Sequence, residues 1–566
     1  MLITSPGNGI FTDRGDVVSM FRFCLTALLI AVVTFIVFLP AVKNSFVNWD
    51  DVGNIIHNQH IHLFNGELFR WAFLEFYDDS WFPLTYVSLA VDYVFWGADP
   101  RGYHLTNVIL HACNTFWVPL VTMRLIDAYR SRMNHQNAQL RAETDRIALV
   151  SCVAAGLLFG LHPLRVESVA WVSERKDVLN AFFCLPAFFV YLCYAQRRVE
   201  ANSNLSFWLF DKRYLAALLL FILSLLSKPM TVTLPVILLI IDWFPLRRLS
   251  GTENRKAVIA EKIPFLLASL AVSVITLISQ RPDMAMQETV WSRVLLACKS
   301  VVSYLRMILW PSGLSPSYPF PHDTVSFARI EYGVPVVLVA LITIVCLLMV
   351  RRQKIWFAVW FSFLVALSPV LMVVKVGMQA MADRYTYLPC LGPVMLVSLG
   401  GGMLFNKASK AKRWSRPLGY GVIAAIMAVA AVYSVMTMRQ IGVWRNTGTL
   451  WTRVIELKPD GLTYFQRGRY YEVTGEYENA LSDYTESIRF ALVRRYSKIH
   501  ELYFFRANVY AKMGRYGEAL GDYNRSINLN PAPTADDFIR RGTMLQTLGR
   551  LKEANDDFVA AKAIGK

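Results

Sequence analysis

Residues 21–42 read FRFCLTALLIAVVTFIVFLPAV, an apolar run in which Arg22 is the one charged side chain. As an α-helix, a run of this length matches the hydrocarbon core of a bilayer, which is about 30 Å thick. It is too long for the core of a cleaved signal peptide and lacks a clear A-x-A site, so we expect it to remain as an anchoring helix. The run therefore predicts a protein held in a membrane.

The rest of the chain repeats this pattern. Of its 566 residues, 55% are hydrophobic and only 17% are charged, whereas soluble domains carry about 25% charged residues. A soluble enzyme, a fibrous protein and a disordered chain are thereby excluded. We predict eleven transmembrane helices, at residues 21–42, 105–127, 147–161, 178–195, 214–227, 231–244, 263–280, 332–350, 355–374, 386–405 and 418–437.

Two places leave the helix count open. Segments 214–227 and 231–244 are short and are separated by Lys228-Pro229, so they form either two helices or one broken helix. Segment 291–310 contains three cationic residues, and we interpret it as an amphipathic helix on the membrane surface.

The distribution of Lys and Arg predicts the orientation of the chain. One set of alternate loops holds 21 Lys and Arg among 70 residues, namely loops 128–146, 196–213, 245–262, 351–354 and 406–416. The other set holds 14 among 143 residues, in 43–104, 162–177, 228–230, 281–331 and 375–385. Short loops rich in Lys and Arg stay in the cytoplasm. The formal net charge of +17 is therefore explained by orientation in the membrane rather than by nucleic-acid binding. We expect the N-terminus in the cytoplasm and everything after Thr437 on the outer face.

The C-terminal part changes character and contains repeats. Small and aromatic residues recur at the spacing of a helical hairpin in three segments, about 461–494, 500–533 and 535–566. This pattern resembles the tetratricopeptide repeat, a helix-turn-helix of about 34 residues. A further segment, 450–459, fits the second helix of an incomplete earlier unit. We predict an all-α protein with a polytopic membrane helical domain, 1–442, followed by an α-solenoid of repeats, 443–566.

The first outer loop begins with two adjacent carboxylates, Asp50 and Asp51, within about two turns of the end of the first helix. One of them can serve as a general base while the other orients it. A helix cap or a turn is the plainer explanation of such a pair. His57, His60 and His62 follow in the same loop, but their spacing is not the i, i+4 spacing of familiar zinc motifs, so no metal site is expected.

A second outer segment, 162–177, reads HPLRVESVAWVSERKD and bunches six charges between two apolar runs. Charged groups at membrane depth usually face a cavity or a partner. Arg175 and Lys176 are candidates to bind a lipid phosphate, the first as a planar fork and the second as a point charge. Lys228 and Arg384 add cations on the same predicted face. No Gly-rich loop follows a strand, so a nucleotide site is not expected.

Several further motifs follow one another along the chain. They are Asn48-Trp49-Asp50-Asp51, Pro83-Leu84-Thr85, Gly102-Tyr103-His104-Leu105 with Asn107 and His111, His162-Pro163 with Glu167, Arg175 and Asp177, Ser227-Lys228, and Ala382-Asp383-Arg384-Tyr385 with Tyr387-Leu388-Pro389. Taken in this order, they resemble the transmembrane and tetratricopeptide-repeat-containing (TMTC) family and its bacterial relatives. The resemblance spans nearly the whole chain and includes the repeats, which are fewer here than in the animal proteins.

The resemblance implies a membrane glycosyltransferase of the C type, which takes a sugar from a polyprenyl-phosphate carrier. In that superfamily the catalytic carboxylate follows the first helix, and Asp50 and Asp51 occupy this place. Either one would take the proton of an acceptor hydroxyl. The residues expected to bind the donor and its departing phosphate are His162, Glu167, Arg175, Lys176, Asp177, Lys228 and Arg384.

The expected partners are the lipid-linked sugar, membrane lipid and a protein or glycan acceptor, with the repeats presenting a protein acceptor to the site. No cofactor, metal or nucleic acid is expected. Two other functions stay open, namely glycosylation of a lipid or surface glycan and a non-catalytic scaffold. The scaffold predicts that the acidic pair tolerates substitution, but it leaves the charged outer loops unexplained. We expect a bacterial inner membrane, with the repeats in the periplasm.

Overall fold

The computed structural model describes residues 14–130, 138–200, 205–250, 252–279, 289–321, 325–371, 379–410, 415–494 and 498–564. Contacts between Cα atoms divide the chain into two units. The membrane unit comprises Met1–Ser45 and Asp51–Gly442. The repeat unit comprises Phe46–Asp50 and Val443–Lys566.

The described part of the membrane unit is almost entirely helical. Its α-helices are α1 (Arg14–Phe38), α2 (Gly66–Leu74), α3 (Pro83–Trp96), α4 (Pro100–Arg130), α5 (Ala138–Gly160), α6 (Val166–Ala170), α7 (Arg175–Glu200), α8 (Lys212–Ser227), α9 (Leu234–Trp243), α10 (Thr252–Ala260), α11 (Ile263–Ser279), α12 (Val290–Leu309), α13 (Ile330–Met349), α14 (Lys354–Leu367), α15 (Leu391–Ser409) and α16 (Ser415–Val443).

All eleven predicted membrane segments contain a helix of the structure. The apolar segments around Lys228 form two separate helices, α8 and α9, joined by the 3-10 turn Pro229–Thr233. Among the described helices six are long and apolar enough to cross a membrane, or seven if one bent pair is a single span. The protein is therefore a multi-pass membrane protein, and eleven crossings stay a prediction. Segment 291–310 is helical as expected, in α12.

Helix α4 packs against α1, α5 and α7, and α5 also packs against α15. The approach of α5 to its neighbours depends on glycine. A Cβ atom on Gly160 would lie 2.4 Å from Thr34 Oγ1 of α1 and 2.6 Å from Thr115 Cγ2 of α4. Small residues at such positions let membrane helices approach closely.

A short β-ribbon links two of the predicted outer segments. Strand β1 (Tyr318–Pro319) pairs antiparallel with β2 (Gln379–Met381), and Tyr304 Oη accepts a hydrogen bond of 3.2 Å from the backbone N–H of Ala382. The ribbon thereby fixes the start of the segment that carries Arg384.

The C-terminal part of the repeat unit consists of paired helices. They are α17 (Thr447–Leu457), α18 (Gly461–Thr474), α19 (Tyr477–Arg494), α20 (Ile499–Lys512), α21 (Tyr516–Leu529), α22 (Ala535–Thr547) and α23 (Leu551–Ile564). Each turn inside a pair contains a glycine in the left-handed region, Gly475, Gly514 or Gly549, with φ between 74° and 81°. Glycine adopts this conformation without steric cost.

Small residues let the helices of each pair approach, as predicted. A Cβ atom on Gly468 would come within 3.0 Å of the Tyr484 ring, and one on Gly542 within 2.8 Å of the Phe558 ring. The predicted tetratricopeptide fold of this part is confirmed by these hairpins.

In each helix pair an arginine directly precedes the small residue of the first helix, which is Gly468, Ala507 or Gly542. The contacts of these arginines were not predicted from the sequence. Arg467, Arg506 and Arg541 each bind, through two nitrogens at 2.6–3.0 Å, an Asp of the second helix in the same pair. The third nitrogen reaches back to the preceding helix, and for Arg467 this partner is Thr452 of α17 at 3.1 Å. Helix α17 therefore occupies the place of a second helix in an earlier unit, as predicted.

Candidate functional site

The two adjacent carboxylates of the first outer loop belong to different units. Asp50 is half-buried and ends the segment that packs with the repeats. Asp51 begins the return of the chain to the membrane unit and is only 1% exposed. The two candidates for the general base therefore have different surroundings.

Asp51 contacts the second outer segment directly. Its Oδ1 accepts hydrogen bonds from the backbone N–H of Ser173 at 2.9 Å and from Ser173 Oγ at 2.6 Å. Asn54 Nδ2 also donates to Ser173 Oγ at 3.3 Å. The structure thus brings Asp51 into contact with the predicted charged segment, at Ser173, which directly precedes Glu174.

Glu174 is the centre of a buried cluster of charges. It accepts from Lys228 Nζ at 2.9 Å, and its Oε1 lies 3.2 Å from Lys176 Nζ and 3.1 Å from Arg384 Nε. Three sequence segments that lie far apart in the chain therefore converge on one carboxylate, which the sequence analysis did not select.

Two further carboxylates complete the cluster. Asp177 accepts from Lys228 Nζ at 2.7 Å and from Ser168 Oγ at 3.0 Å. Glu167 forms an ion pair with the Arg384 guanidinium and accepts from the Arg384 backbone N–H at 2.8 Å. Three cations thus face three carboxylates, so the cluster is neutral as a whole when every member is ionised.

The neighbouring charges keep Lys228 protonated. Burial alone lowers the pKa of a lysine, because a charged group loses its hydration. The carboxylates of Asp177 and Glu174 outweigh this effect and hold the pKa of Lys228 above its ordinary value. Lys228 therefore provides a positive charge at any physiological pH.

Arg175 points away from this cluster. Its side chain is fully buried, and Nη2 donates to Asp92 Oδ2 at 2.5 Å and to the carbonyl of Tyr103 at 2.8 Å. Nη1 donates to Ser88 Oγ at 2.8 Å and Nε donates to Asn107. Each guanidinium nitrogen is engaged inside the protein, which favours a role in holding the segment rather than in touching a phosphate.

His162 lies at the other end of the same segment and is 2% exposed. Its Nδ1 accepts from the backbone N–H of Leu164 at 3.2 Å, and its Nε2 lies 3.0 Å from the carbonyl oxygen of Ile308. Accepting at Nδ1 places the ring proton on Nε2, so both nitrogens are used in shaping the turn. The predicted donor-binding role of His162 stays a prediction.

Polar side chains of α4 contact two of the segments around the charged cluster, the one that carries Tyr387 and the one that carries Val169. His111 Nδ1 lies 2.7 Å from Tyr387 Oη, and Asn114 Nδ2 donates to the same hydroxyl at 3.0 Å. Asn107 Nδ2 donates to the carbonyl of Val169 at 3.1 Å. These polar side chains fix the loops around the charged cluster from within the helical core.

A second polar contact fixes the turn that carries Lys228. Asn180 Nδ2 donates to the carbonyls of Ser224 at 2.8 Å and Lys228 at 2.7 Å. Thr85 Oγ1, in the Pro83-Leu84-Thr85 motif, donates to the carbonyl of Ser227 at 2.9 Å. The quoted motifs that belong to the membrane unit therefore meet around one site.

Two buried charges near the cluster were also missed from the sequence. Arg165 is 1% exposed and lies over the rings of Phe159 and Tyr387 at 5.1 and 5.3 Å. Asp383 accepts from Tyr318 Oη at 2.7 Å. Burial and the nearby Glu167 carboxylate raise the pKa of Asp383 well above its ordinary value. Arg165 and Asp383 both lie in segments quoted from the sequence, but neither was predicted as a site residue.

A large cavity begins at the cluster. Its volume is about 1010 Å³, and Asp177 and Arg384 are among its lining residues. Most of its other lining residues are apolar and come from α4, α7, α9, α14 and α15, for example Leu125, Phe188, Ile237, Phe363 and Met395.

The cavity extends far along the helices. On α15 its lining residues run from Leu391 to Met403, a distance of about 18 Å at the usual helical rise. Its far part is lined by basic residues of the predicted cytoplasmic loops, Arg130, Arg247, Arg351, Arg352 and Lys354. Within the described ranges, no group of three or more His, Cys, Asp and Glu side chains is arranged to hold a metal ion.

Comparison with known proteins agrees with these motifs. The tetratricopeptide repeat family matches residues 500–533. Protein O-mannosyl-transferase Tmtc1 of Drosophila melanogaster is 35% identical over 112 residues, which are 20% of this chain and 11% of that protein. Protein O-mannosyl-transferase TMTC4 of Homo sapiens is 26% identical over 140 residues, 24% of this chain and 18% of that protein.

A longer match is found with Protein O-mannosyl-transferase Tmtc2 of Drosophila melanogaster, 27% identical over 246 residues, 42% of this chain and 23% of that protein. The matched regions span less than a quarter of each of these curated relatives. The chain is therefore a multi-pass helical membrane protein with tetratricopeptide repeats that is similar to the TMTC proteins.

Proposed function

We propose that this protein is a glycosyltransferase of the C type, which transfers a sugar from a polyprenyl-phosphate carrier to the hydroxyl of a protein Ser or Thr. The names of the relatives, protein O-mannosyl-transferases, support mannose as the sugar and a protein as the acceptor. The loop charges support a site on the outer face with the N-terminus in the cytoplasm. The membrane that we propose is a bacterial inner membrane, with the site on its periplasmic face.

The observation that carries this proposal is the apolar cavity that meets the charged cluster. An apolar cavity about 18 Å long is suited to a hydrocarbon chain, because both surfaces leave water when the chain enters. Asp177 and Arg384 line the cavity, so a chain bound in it would carry its phosphate beside the cluster.

Two cations of the cluster are the best candidates to contact that phosphate. The side chains of Lys176 and Arg384 are 16% and 11% exposed, more than the 9% of Lys228. Lys228 would then stay in its ion pairs with Glu174 and Asp177, while Lys176 and Arg384 turn toward the ligand. Cationic groups placed where negative charge develops stabilise the transition state most effectively.

Asp50 is the better candidate for the base. Asp51 is 1% exposed, whereas Asp50 is half-buried and is therefore more accessible to an acceptor hydroxyl. In the proposed step the acceptor oxygen bonds to the anomeric carbon as the bond from that carbon to the phosphate oxygen breaks. The hydroxyl proton passes to Asp50, and the electron pair of the broken bond leaves with the polyprenyl phosphate.

The test uses the purified full-length protein in liposomes with polyprenyl-phosphate mannose and a Ser/Thr peptide as the acceptor, and measures release of polyprenyl phosphate. A positioned general base contributes about 10²–10⁴ in rate. We expect Asp50→Asn to lower turnover at least a hundredfold while the donor KM changes little. The control is Asp99→Asn, in the same outer loop, whose Asp99–Arg101 pair is exposed. This control should turn over like the wild type.

Other outcomes separate the alternatives. Full activity in a correctly inserted Asp50→Asn protein would contradict the base assignment. Activity that a chelator abolishes and added metal restores would contradict a reaction that needs only side-chain cations. If no lipid-linked sugar is turned over and neither Asp50→Asn nor Asp51→Asn has any effect in cells, a non-catalytic scaffold explains the protein better.

A further inference from the structure

The segment Phe46–Asp50 is the unexpected part of the repeat unit. The residues before it and after it in the chain belong to the membrane unit. The peptide bond between Asp50 and Asp51 is thus the point where the chain passes from one unit to the other. On its N-terminal side, the backbone of the candidate base is therefore held by the contacts that residues 46–49 make within the repeat unit.

Two neighbours of Asp50 contact α17 and α18 in detail. The ring of Trp49 stacks on the ring of Trp451, with centroids 4.8 Å apart and an angle of 8° between the planes. The indole Nε1–H of Trp451 donates to Asn48 Oδ1 at 2.8 Å. The backbone N–H of Asn48 donates to Thr447 Oγ1 at 3.0 Å.

The side-chain amide of Asn48 is used on both sides. Its Oδ1 accepts from Trp451, and its Nδ2 donates to Gln466 Oε1 at 3.3 Å and to the Gln466 carbonyl at 3.4 Å. An amide that accepts on one side and donates on the other has one fixed orientation. Trp451 is 3% exposed, so it cannot easily turn away from its partners.

We propose that Asn48, Trp49 and Trp451 form a clamp that positions Asp50 for proton transfer, so that the first repeat helices take part in setting the geometry of the base. The inference rests on the proposed function, because it needs Asp50 to act in the reaction. Asn48, Trp49 and Trp451 are positioning residues in this proposal, since their effect on the reaction passes through Asp50.

The clamp makes a prediction that simple attachment of the repeats does not make. A misplaced base slows the chemical step, because misplacement by about 1 Å costs on the order of a hundredfold in rate. Binding of the lipid donor in the membrane unit is then unchanged. Loss of the clamp should therefore lower kcat and leave the donor KM as it was.

The experiment measures hydrolysis of polyprenyl-phosphate mannose by full-length variants in liposomes, with water as the acceptor. Trp451→Leu removes both the stacking on Trp49 and the indole N–H that bonds to Asn48. We expect this variant to lower kcat about tenfold, with the KM for the lipid-linked sugar within twofold of the wild type. Trp451→Phe keeps an aromatic ring for the stack and should restore at least half of the lost activity.

A matched control loosens the repeats elsewhere. Asp557→Asn weakens the ion pair with Arg541, 2.6 Å long, in the last helix pair and leaves the clamp intact. We expect its kcat to equal that of the wild type. An equal loss of kcat in Asp557→Asn and Trp451→Leu would show that general loosening of the repeats is the cause, and would overturn the clamp.

Combining the clamp variant with the base variant gives the second measurement. If Trp451 acts through Asp50, the double variant Asp50→Asn/Trp451→Leu should be no slower than Asp50→Asn alone, because interacting residues are not additive. Losses that multiply would overturn the inference, and so would normal kcat in folded Trp451→Leu. An Asp50→Asn protein with wild-type hydrolysis would instead overturn the assignment of Asp50 as the base. A wild-type protein that turns over no lipid-linked sugar, either with water or with a Ser/Thr peptide as the acceptor, would overturn the proposed function.

Discussion

Glu174 shows how one side chain can hold a site together. It binds Lys176, Lys228 and Arg384 within 3.2 Å and is only 1% exposed. Removing one partner of a buried ion pair typically costs about 3–5 kcal/mol, because the other charge stays buried without compensation.

We therefore expect Glu174→Gln to destabilise the protein by about 3 kcal/mol or more. Glu331 is the matched control, because it also binds two cations, Lys299 and Arg329, but its side chain is 43% exposed. Exposed pairs contribute about 0–1 kcal/mol, so Glu331→Gln should have almost no effect. Thermal unfolding in detergent, followed by size-exclusion chromatography, measures the melting temperature of each variant. Equal melting temperatures for Glu174→Gln and Glu331→Gln would contradict the proposed role of Glu174 in holding the buried cluster together.

The predicted donor-binding residues include five members of the cluster, namely Glu167, Lys176, Asp177, Lys228 and Arg384. They do not include Glu174, and their positions in the sequence do not indicate how the charges pair. Arg175 and Lys176 are neighbours in the sequence, yet they open helix α7, where successive side chains point about 100° apart. Arg175 therefore faces Asp92, while Lys176 faces Glu174. The pairing of Glu174 with Lys228 could not be predicted, because the two residues lie 54 positions apart and only the fold brings them together.

At the scale of elements, the helices carry their own signals. Each predicted membrane segment is a run of apolar residues, and each repeat turn has a glycine where a left-handed backbone is needed, as at Gly475, Gly514 and Gly549. Such signals are local, so the sequence was enough to predict them. The bounds are less local, since α4 begins at Pro100 rather than at residue 105, and α15 begins at Leu391 rather than at residue 386.

The segment that follows the first helix is different. Asn48 and Trp451 are 403 positions apart, and nothing in the composition of residues 46–50 indicates that they pack with the repeats. The predicted boundary between the domains lies between residues 442 and 443. A cut there would also remove Thr447, Trp451 and Gln466, the partners of Asn48.

A cut after Arg494 removes α20–α23 and keeps these partners, so it tests the predicted role of the repeats in presenting a protein acceptor. Stacked helix pairs form a groove suited to an extended chain. We expect the shortened protein to hydrolyse the lipid donor as the full chain does, while protein glycosylation in cells falls at least tenfold. Glycosylation at the intact rate would contradict the presentation role and leave the catalytic one untouched.

At the scale of the whole molecule, the predicted outer loops of the membrane unit meet one another. Contacts join Asp51 to Ser173, Lys228 to Glu174, and Arg384 to Glu167. This convergence is what the alternation of loop charges predicts, since the loops between successive membrane helices lie on alternate faces.

The orientation itself is tested with fusions to Lys566. Alkaline phosphatase needs an oxidising compartment, where its disulfides form. With the repeats in the periplasm, a C-terminal phosphatase fusion should be active and a fusion at the N-terminus inactive. The reverse pattern in an Escherichia coli inner membrane would contradict the orientation and would place the charged cluster in the cytoplasm.

The central claim is that Asp50 catalyses transfer of a lipid-linked sugar to protein, and glycoproteomics of the source cells tests it most directly. A chromosomal Asp50→Asn substitution should abolish a set of Ser- or Thr-linked glycopeptides while the protein itself remains at its normal level in the membrane. The Asp99→Asn strain should retain the same glycopeptides. An unchanged set of glycopeptides in the Asp50→Asn strain, or a loss confined to lipids and surface glycans, would contradict the account.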